Sequence, residues 1–120
     1  LIVACLDDFQ LHELKNVADQ YGMDTLIEVH DEKELERALL TESKLIGVNN
    51  RDLKRFKTDV NTTISLKSKI PPEQHIVTES GIRTLEDVEK IRKAGISSFL
   101  VGEAFMRADD PGKKLNELFF

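Results

Sequence analysis

Five short apolar runs recur along the chain: LIVACL (residues 1–6), TLIEV (25–29), LIGVNN (45–50), HIVTES (75–80) and SFLVGE (98–103). Within each run the apolar residues are consecutive rather than alternating. Strands read this way when both faces of a parallel sheet are covered. Amphipathic segments separate the runs. Leu11, Leu14, Val17 and Ala18 share one face of a helix over 9–21. Leu35, Ala38 and Leu39 do the same over 32–42, and Leu85, Val88 and Ile91 over 85–94. The pattern predicts β-α-β-α-β-α-β-α-β-α, the order of a parallel α/β protein.

The helix ends carry matching chemistry. Asp31 with Glu34, and Thr84 with Asp87, have the spacing of an N-cap and its reciprocal partner. Gly22 and Gly95 stand where a helix must stop before the next strand. Pro71-Pro72 closes a helix around 60–69, and Pro111 opens a last one through Leu115 and Leu118. No linker or low-complexity tract interrupts the series, so residues 1–120 read as part of one domain.

Charge and cysteine content narrow the function. The chain has 17 Lys+Arg against 22 Asp+Glu, a net charge of −5 with no basic stripe, which argues against a nucleic-acid binder. This charge is compatible with a small anionic ligand, because backbone dipoles bind phosphate without net positive charge. A single cysteine, Cys5, excludes an intrachain disulfide and a cysteine metal cluster, and reads as a core side chain. The longest apolar run is too short to span a bilayer and no signal peptide is visible, so no membrane partner and a cytoplasmic location are expected. The chain opens inside an apolar run without Met, as a piece of something longer would.

In parallel α/β folds, ligands bind at the carboxyl ends of the strands. Those ends read Asp7-Asp8, Glu28, Asn49-Asn50-Arg51, Glu79-Ser80-Gly81 and Gly102-Glu103. The opposite ends offer Thr25, Lys44 and His75, which do not converge. Each tip alone has a structural reading: Glu28 as a paired acid, Asn49 as a turn cap, Arg51 as a partner of Glu79 or Asp52, Ser80-Gly81 as a plain turn. Together they share one mouth. Gly81 and Gly102 lack a Cβ, so a ligand can approach their backbone closely. Residues 103–107 have room for a short helix whose N-terminal dipole favours an anion. His12 reads as a helix-surface residue, His30 as a loop residue beside the mouth, and Met23 and Met106 as packing residues.

The segments LIEVHDEKELERAL, IGVNNRDL, VTESGI and FLVGEAFMRADDP, in this order and spacing, resemble the second half of the indole-3-glycerol-phosphate synthase family. The resemblance covers essentially the whole chain. It implies a TIM (βα)8 barrel, of which this chain supplies about five βα units, strands four to eight. It implies closure of the indole ring of 1-(2-carboxyphenylamino)-1-deoxyribulose 5-phosphate with loss of CO2 and water, using no metal and no organic cofactor. By motif match, Glu28 is an acid/base group, Asn49 orients reacting groups and Glu79 organises the charge network. Arg51 lies near the substrate's anionic end or its acidic partners, and Ser80 binds ligand. Gly81, Gly102 and the Glu103 backbone take phosphate, and Leu26 and Val101 line the aromatic pocket.

The family's general-acid lysine belongs to the third strand, with a glutamate and a second lysine on the second strand. Residues 1–120 match neither strand. The resemblance therefore implies that this chain alone is inactive and needs a missing N-terminal half-barrel or self-association. Two alternatives stand beside it: another phosphate-binding barrel enzyme, and a non-catalytic half-barrel assembly module.

Overall fold

The computed structural model describes residues 1–120. Four strands, β1 (Leu26–Val29), β2 (Leu45–Asn49), β3 (His75–Glu79) and β4 (Ser98–Leu100), form one parallel sheet in chain order. Helices α1 (Asp8–Gln20), α2 (Glu32–Leu39), α3 (Asn61–Lys67) and α4 (Leu85–Lys93) alternate with them. A four-residue α5 (Glu103–Met106) and α6 (Pro111–Phe119) follow β4. The register sets Glu28 opposite Gly47, Asn49 opposite Glu79, and Glu79 opposite Leu100. The strand tips named from sequence therefore lie side by side.

Strand parity divides the side chains between two faces. Ile27, Val29, Ile46 and Val48 pack into one buried cluster with Leu35, Ala38 and Leu66. Val88, Ile91, Ile96 and Leu118 form a second, and the half-buried Ile76 touches both. Each such side chain contributes about 1.5–3 kcal/mol when fully removed from water. The alternate residues Leu26, Glu28, Gly47, Asn49 and Glu79 fall on the other face, which carries the polar groups.

The caps form as their spacing implies. Thr84 and Asp87 make a reciprocal capping box at α4. Asp110 accepts from the Lys113 N–H ahead of Pro111. Asp31 accepts from the Glu34 N–H at 2.9 Å, but Glu34 reaches past the cap to the His30 N–H (2.7 Å). Asp7 caps α1 and exchanges hydrogen bonds with Gln10, so the expected first strand tip serves a helix instead.

The first apolar run departs from expectation. Ile2 makes one parallel bridge to Glu28, and the Leu1 carbonyl accepts from the Glu28 N–H at 2.8 Å. The chain then turns into a single 3-10 turn, Val3–Cys5, instead of continuing as a strand. Arg37 of α2 donates to the Val3 and Leu6 carbonyls, which fixes that turn. Cys5 is consequently exposed, not part of the core. The first unit thus joins the β1 edge at one point. β4 stops at Leu100, short of the expected 103, because Gly102 begins α5. Leu14, Val17 and Leu85 are exposed rather than buried on their helix faces, and Met23 and Met106 are exposed rather than packed.

Candidate active site

A pocket of about 520 Å³ opens at the carboxyl end of the sheet. Glu28, Asn49, Arg51, Glu79, Ser80 and Gly81 line it from β1, β2 and β3. Val101, Gly102 and Glu103 line it from the β4–α5 connection. Nine of the ten residues named from sequence therefore meet. Leu26 does not reach the pocket. It sits one layer deeper, with its Cγ 3.3 Å from where a Cβ on Gly47 would be.

The acids cluster on the β1–β3 side. The Asn49 Nδ2 donates to Glu28 Oε2 at 3.4 Å, and its Oδ1 accepts from the Arg51 N–H at 2.9 Å. Asn49 thus links the acid on β1 to the loop after β2. Glu79 is only 4 % exposed, and its Oε1 has no hydrogen-bond partner. A Cβ at Gly47 would stand 2.0 Å from that Oε1. Gly47 is therefore what lets the Glu79 carboxyl lean across β2 toward Glu28. Burial, and then interaction with the Glu28 carboxyl, pushes the Glu79 pKa up to about 8. At neutral pH Glu79 is mainly a neutral acid beside a second carboxyl. Such a pair can hold and pass a proton.

Cations cluster on the other side. Arg51 donates to Glu103 Oε2 at 2.6 Å, and Arg107 Nε lies 3.1 Å from Glu103 Oε1. The Arg51 bond and charge hold the Glu103 carboxyl below its usual pKa. Arg51 is therefore the partner of Glu103, not of Glu79 or Asp52. Arg83 and Lys114 also line this end. Arg83 belongs to a segment (83–94) whose charges read in the sequence as a solvated helix face, yet it lines the pocket. Arg107 and Lys114 carry no strand-tip signal, although Arg107 stands four residues after Glu103, one turn along a helix.

The two glycines at this end differ. Gly81 is left-handed at φ +75°, and a Cβ there would meet Thr58 Cγ2 at 2.7 Å, so the fold requires it. Gly102 has φ −119°, and a Cβ would meet nothing within 4 Å. Neither backbone conformation nor packing demands a glycine there. What a Cβ at position 102 would occupy is open space by the pocket.

Leu100 was also overlooked. It lies on the pocket face of β4 by strand parity, whereas Val101 packs partly with the second cluster. His30 stands at the rim: its Nδ1 donates to the Asn49 carbonyl at 2.7 Å, and its Nε2 lies 4.0 Å from Asp52. His75 is exposed at the far end of β3, bonded to Ser98.

The sequence profile of indole-3-glycerol phosphate synthase matches residues 1–118. The chain belongs to the indole-3-glycerol phosphate synthase family. It is 56 % identical over 119 residues to the indole-3-glycerol phosphate synthase of Polaromonas naphthalenivorans, covering 99 % of this chain and 45 % of that protein. It is 52 % identical over 120 residues to that of Acidithiobacillus ferrooxidans, covering 46 % of that protein. The chain thus spans less than half the length of the curated relatives it matches. Among solved structures it superposes on the Amycolatopsis orientalis BexX/CysO complex with a TM-score of 0.68 at 20 % identity, over 93 % of this chain and 46 % of that one. A native KDPGal structure gives 0.67 at 18 %, over 89 % and 50 %. At such identity the likeness speaks for the fold alone, which is that of a partial TIM barrel. No helix is long and apolar enough to cross a membrane.

Proposed function

We propose that this chain is the carboxyl-terminal part of an indole-3-glycerol phosphate synthase and supplies one half of its active site. The observation that carries this reading is the convergence of Glu28, Asn49 and Glu79 with Ser80, Gly81 and Gly102 in one pocket. The substrate is a phosphorylated amino-deoxyribulose bearing an anthranilate ring. Its phosphate sits against the backbone of Ser80, Gly81, Gly102 and Glu103, with Arg83, Arg107 and Lys114 neutralising its charge. Gly102 keeps that approach clear.

Ring closure needs a proton delivered to the carbonyl and, later, to the departing hydroxyl. Glu28 is placed for acid/base work, Asn49 orients it, and Glu79 holds a proton beside it. Arg51, bonded to Glu103, stands near the anionic end of the substrate. Leu100 and Val101 supply apolar surface for the ring. The cation that activates the carbonyl is not among these residues: Lys114, the pocket's lysine, stands at the phosphate end, 3.3 Å from Glu117. By family resemblance that group is a lysine on another part of the barrel, so residues 1–120 alone are inactive. As an enzyme of amino-acid biosynthesis it works in the cytoplasm.

The test mixes purified residues 1–120 with a fragment carrying barrel strands one to three and follows indole-ring fluorescence. Turnover is expected only in the mixture. Glu28→Gln in the reconstituted enzyme is expected to lower kcat by about 10²–10⁴-fold. Full turnover by residues 1–120 alone would overturn the division of labour. Turnover by the mixture of a phosphosugar lacking the anthranilate ring, with none of the ring-bearing substrate, would point to another phosphate-binding barrel enzyme.

A further inference from the structure

A buried polar knot joins the tips of β2 and β3 behind the pocket. Asn50, Thr63 and Thr78 are each 0 % exposed. The Asn50 Nδ2 donates to Thr78 Oγ1 at 3.0 Å and to the Ser80 carbonyl at 3.1 Å. Its Oδ1 accepts from the Thr63 N–H at 3.1 Å and from Thr63 Oγ1 at 2.7 Å, while the two threonine hydroxyls lie 2.8 Å apart. Both amide protons and both oxygen lone pairs are used. Reversing the amide would set an NH2 against the Thr63 N–H and an oxygen against the Ser80 carbonyl, so one orientation is specified. The Asn50 backbone adds bonds to the Glu79 carbonyl (2.8 Å) and from the Asp59 N–H (2.9 Å).

Two features of the surroundings need this residue. Val60, the N-cap of α3, provides no side-chain cap, and Thr63 stands at N3 of that helix. Asn50 caps α3 from the sheet. The second feature is the turn at the pocket. Ser80 (φ +62°) and Gly81 (φ +75°) are consecutive left-handed residues. A residue with a Cβ costs about 1–2 kcal/mol in that region and stays there only when its surroundings hold it. The Ser80 carbonyl is the handle by which they do so.

We propose that Asn50 is the positioning residue of the ligand-binding turn: by gripping the Ser80 carbonyl from behind, its amide holds Ser80-Gly81 left-handed and keeps their N–H groups set for a phosphate monoester. Asn50 does not line the pocket, so any effect on the ligand passes through the backbone it holds. The proposal rests on the reading of Ser80-Gly81 as part of the phosphate site.

The experiment uses the full-length synthase containing this chain, with inorganic phosphate as a competitive probe. Asn50→Asp keeps the shape and both bonds from Thr63 but sets a carboxylate oxygen against the Ser80 carbonyl. Asn50→Ala removes the grip without burying a charge. Thr63→Val removes the hydroxyl's bonds and leaves the Asn50–Ser80 bond intact. All three are expected to lower the thermal midpoint. Only the Asn50 variants should raise KM and the phosphate inhibition constant, by about tenfold, with kcat within about threefold of wild type. Asn50 variants that keep both constants within about twofold would overturn the proposal, as would a Thr63→Val enzyme that loses affinity equally. A wild-type enzyme insensitive to phosphate would instead sink the underlying reading of the turn, and the proposal with it.

Discussion

Single residues at the pocket carry opposite requirements. Glu79 is buried as a mainly neutral acid, with a folded pKa near 8 against an ordinary value of 4.5. The folded state then binds the extra proton between those values, so stability is greatest below about pH 4.5 for this group and falls as pH rises through 8. Glu79→Gln cannot ionise. It is expected to remove that decline and raise the melting midpoint at pH 8 by about 10 °C or more, with a much smaller change at pH 5. Parallel melts of the two proteins across pH 5–8 would decide it; identical slopes would mean that Glu79 ionises freely. The two glycines make a second contrast. Gly81→Ala meets both a left-handed φ and the Thr58 methyl, and is expected to cost about 1–3 kcal/mol in a denaturant melt. Gly102→Ala meets neither, and is expected to stay within about 0.5 kcal/mol of wild type while weakening phosphorylated-ligand binding. Much of this was open to reading beforehand. Glu28, Asn49 and the Ser-Gly pair stand at strand ends, and parity and position bring them to one pocket. Gly47 and Asn50 were not legible as site-builders. The first matters because of a carboxyl arriving from β3, thirty-two residues later in the chain, and the second because of partners on β3, on α3 and in the turn after β3.

At the scale of elements, local chemistry was the dependable guide where an element has neighbours on both sides. β2 and β3 each pair with two strands and appear where their apolar runs predict. The run 1–6 is at least as apolar but meets only the β1 edge. One bridge forms, and Arg37 then takes the following carbonyls. Edge position thus overrode propensity. Helix starts need less context, because a cap and its partner lie within one turn. Thr84→Ala is expected to cost about 1 kcal/mol through loss of the α4 box, measured by chemical denaturation. α3 is the exception that the sequence conceals: its cap comes from Asn50, eleven residues before the helix begins.

The whole molecule is more open than its length requires. A closed domain of 120 residues has a radius of gyration of about 13.6 Å, whereas this chain has 14.8 Å and measures 41 × 29 × 29 Å. The sheet ends in two edges, β4 with no strand beyond it and β1 with only the Ile2 bridge. Leu100, on the β4 edge, is 54 % exposed, and Phe120 is 93 % exposed close by, both lining the same apolar depression. Unpaired strand edges beside exposed apolar groups favour association. Purified residues 1–120 are therefore expected to sediment as dimers or larger species at micromolar concentration. Leu100→Lys places a charge on that edge and is expected to shift the population toward monomer. A compact monomer in both proteins would mean that the edges are tolerated in water. If a fragment carrying the first three barrel strands is added, it should compete for the same edges. The self-association should then give way to a one-to-one complex, and the strand-tip pocket and the exposed edge would be completed by a single partner.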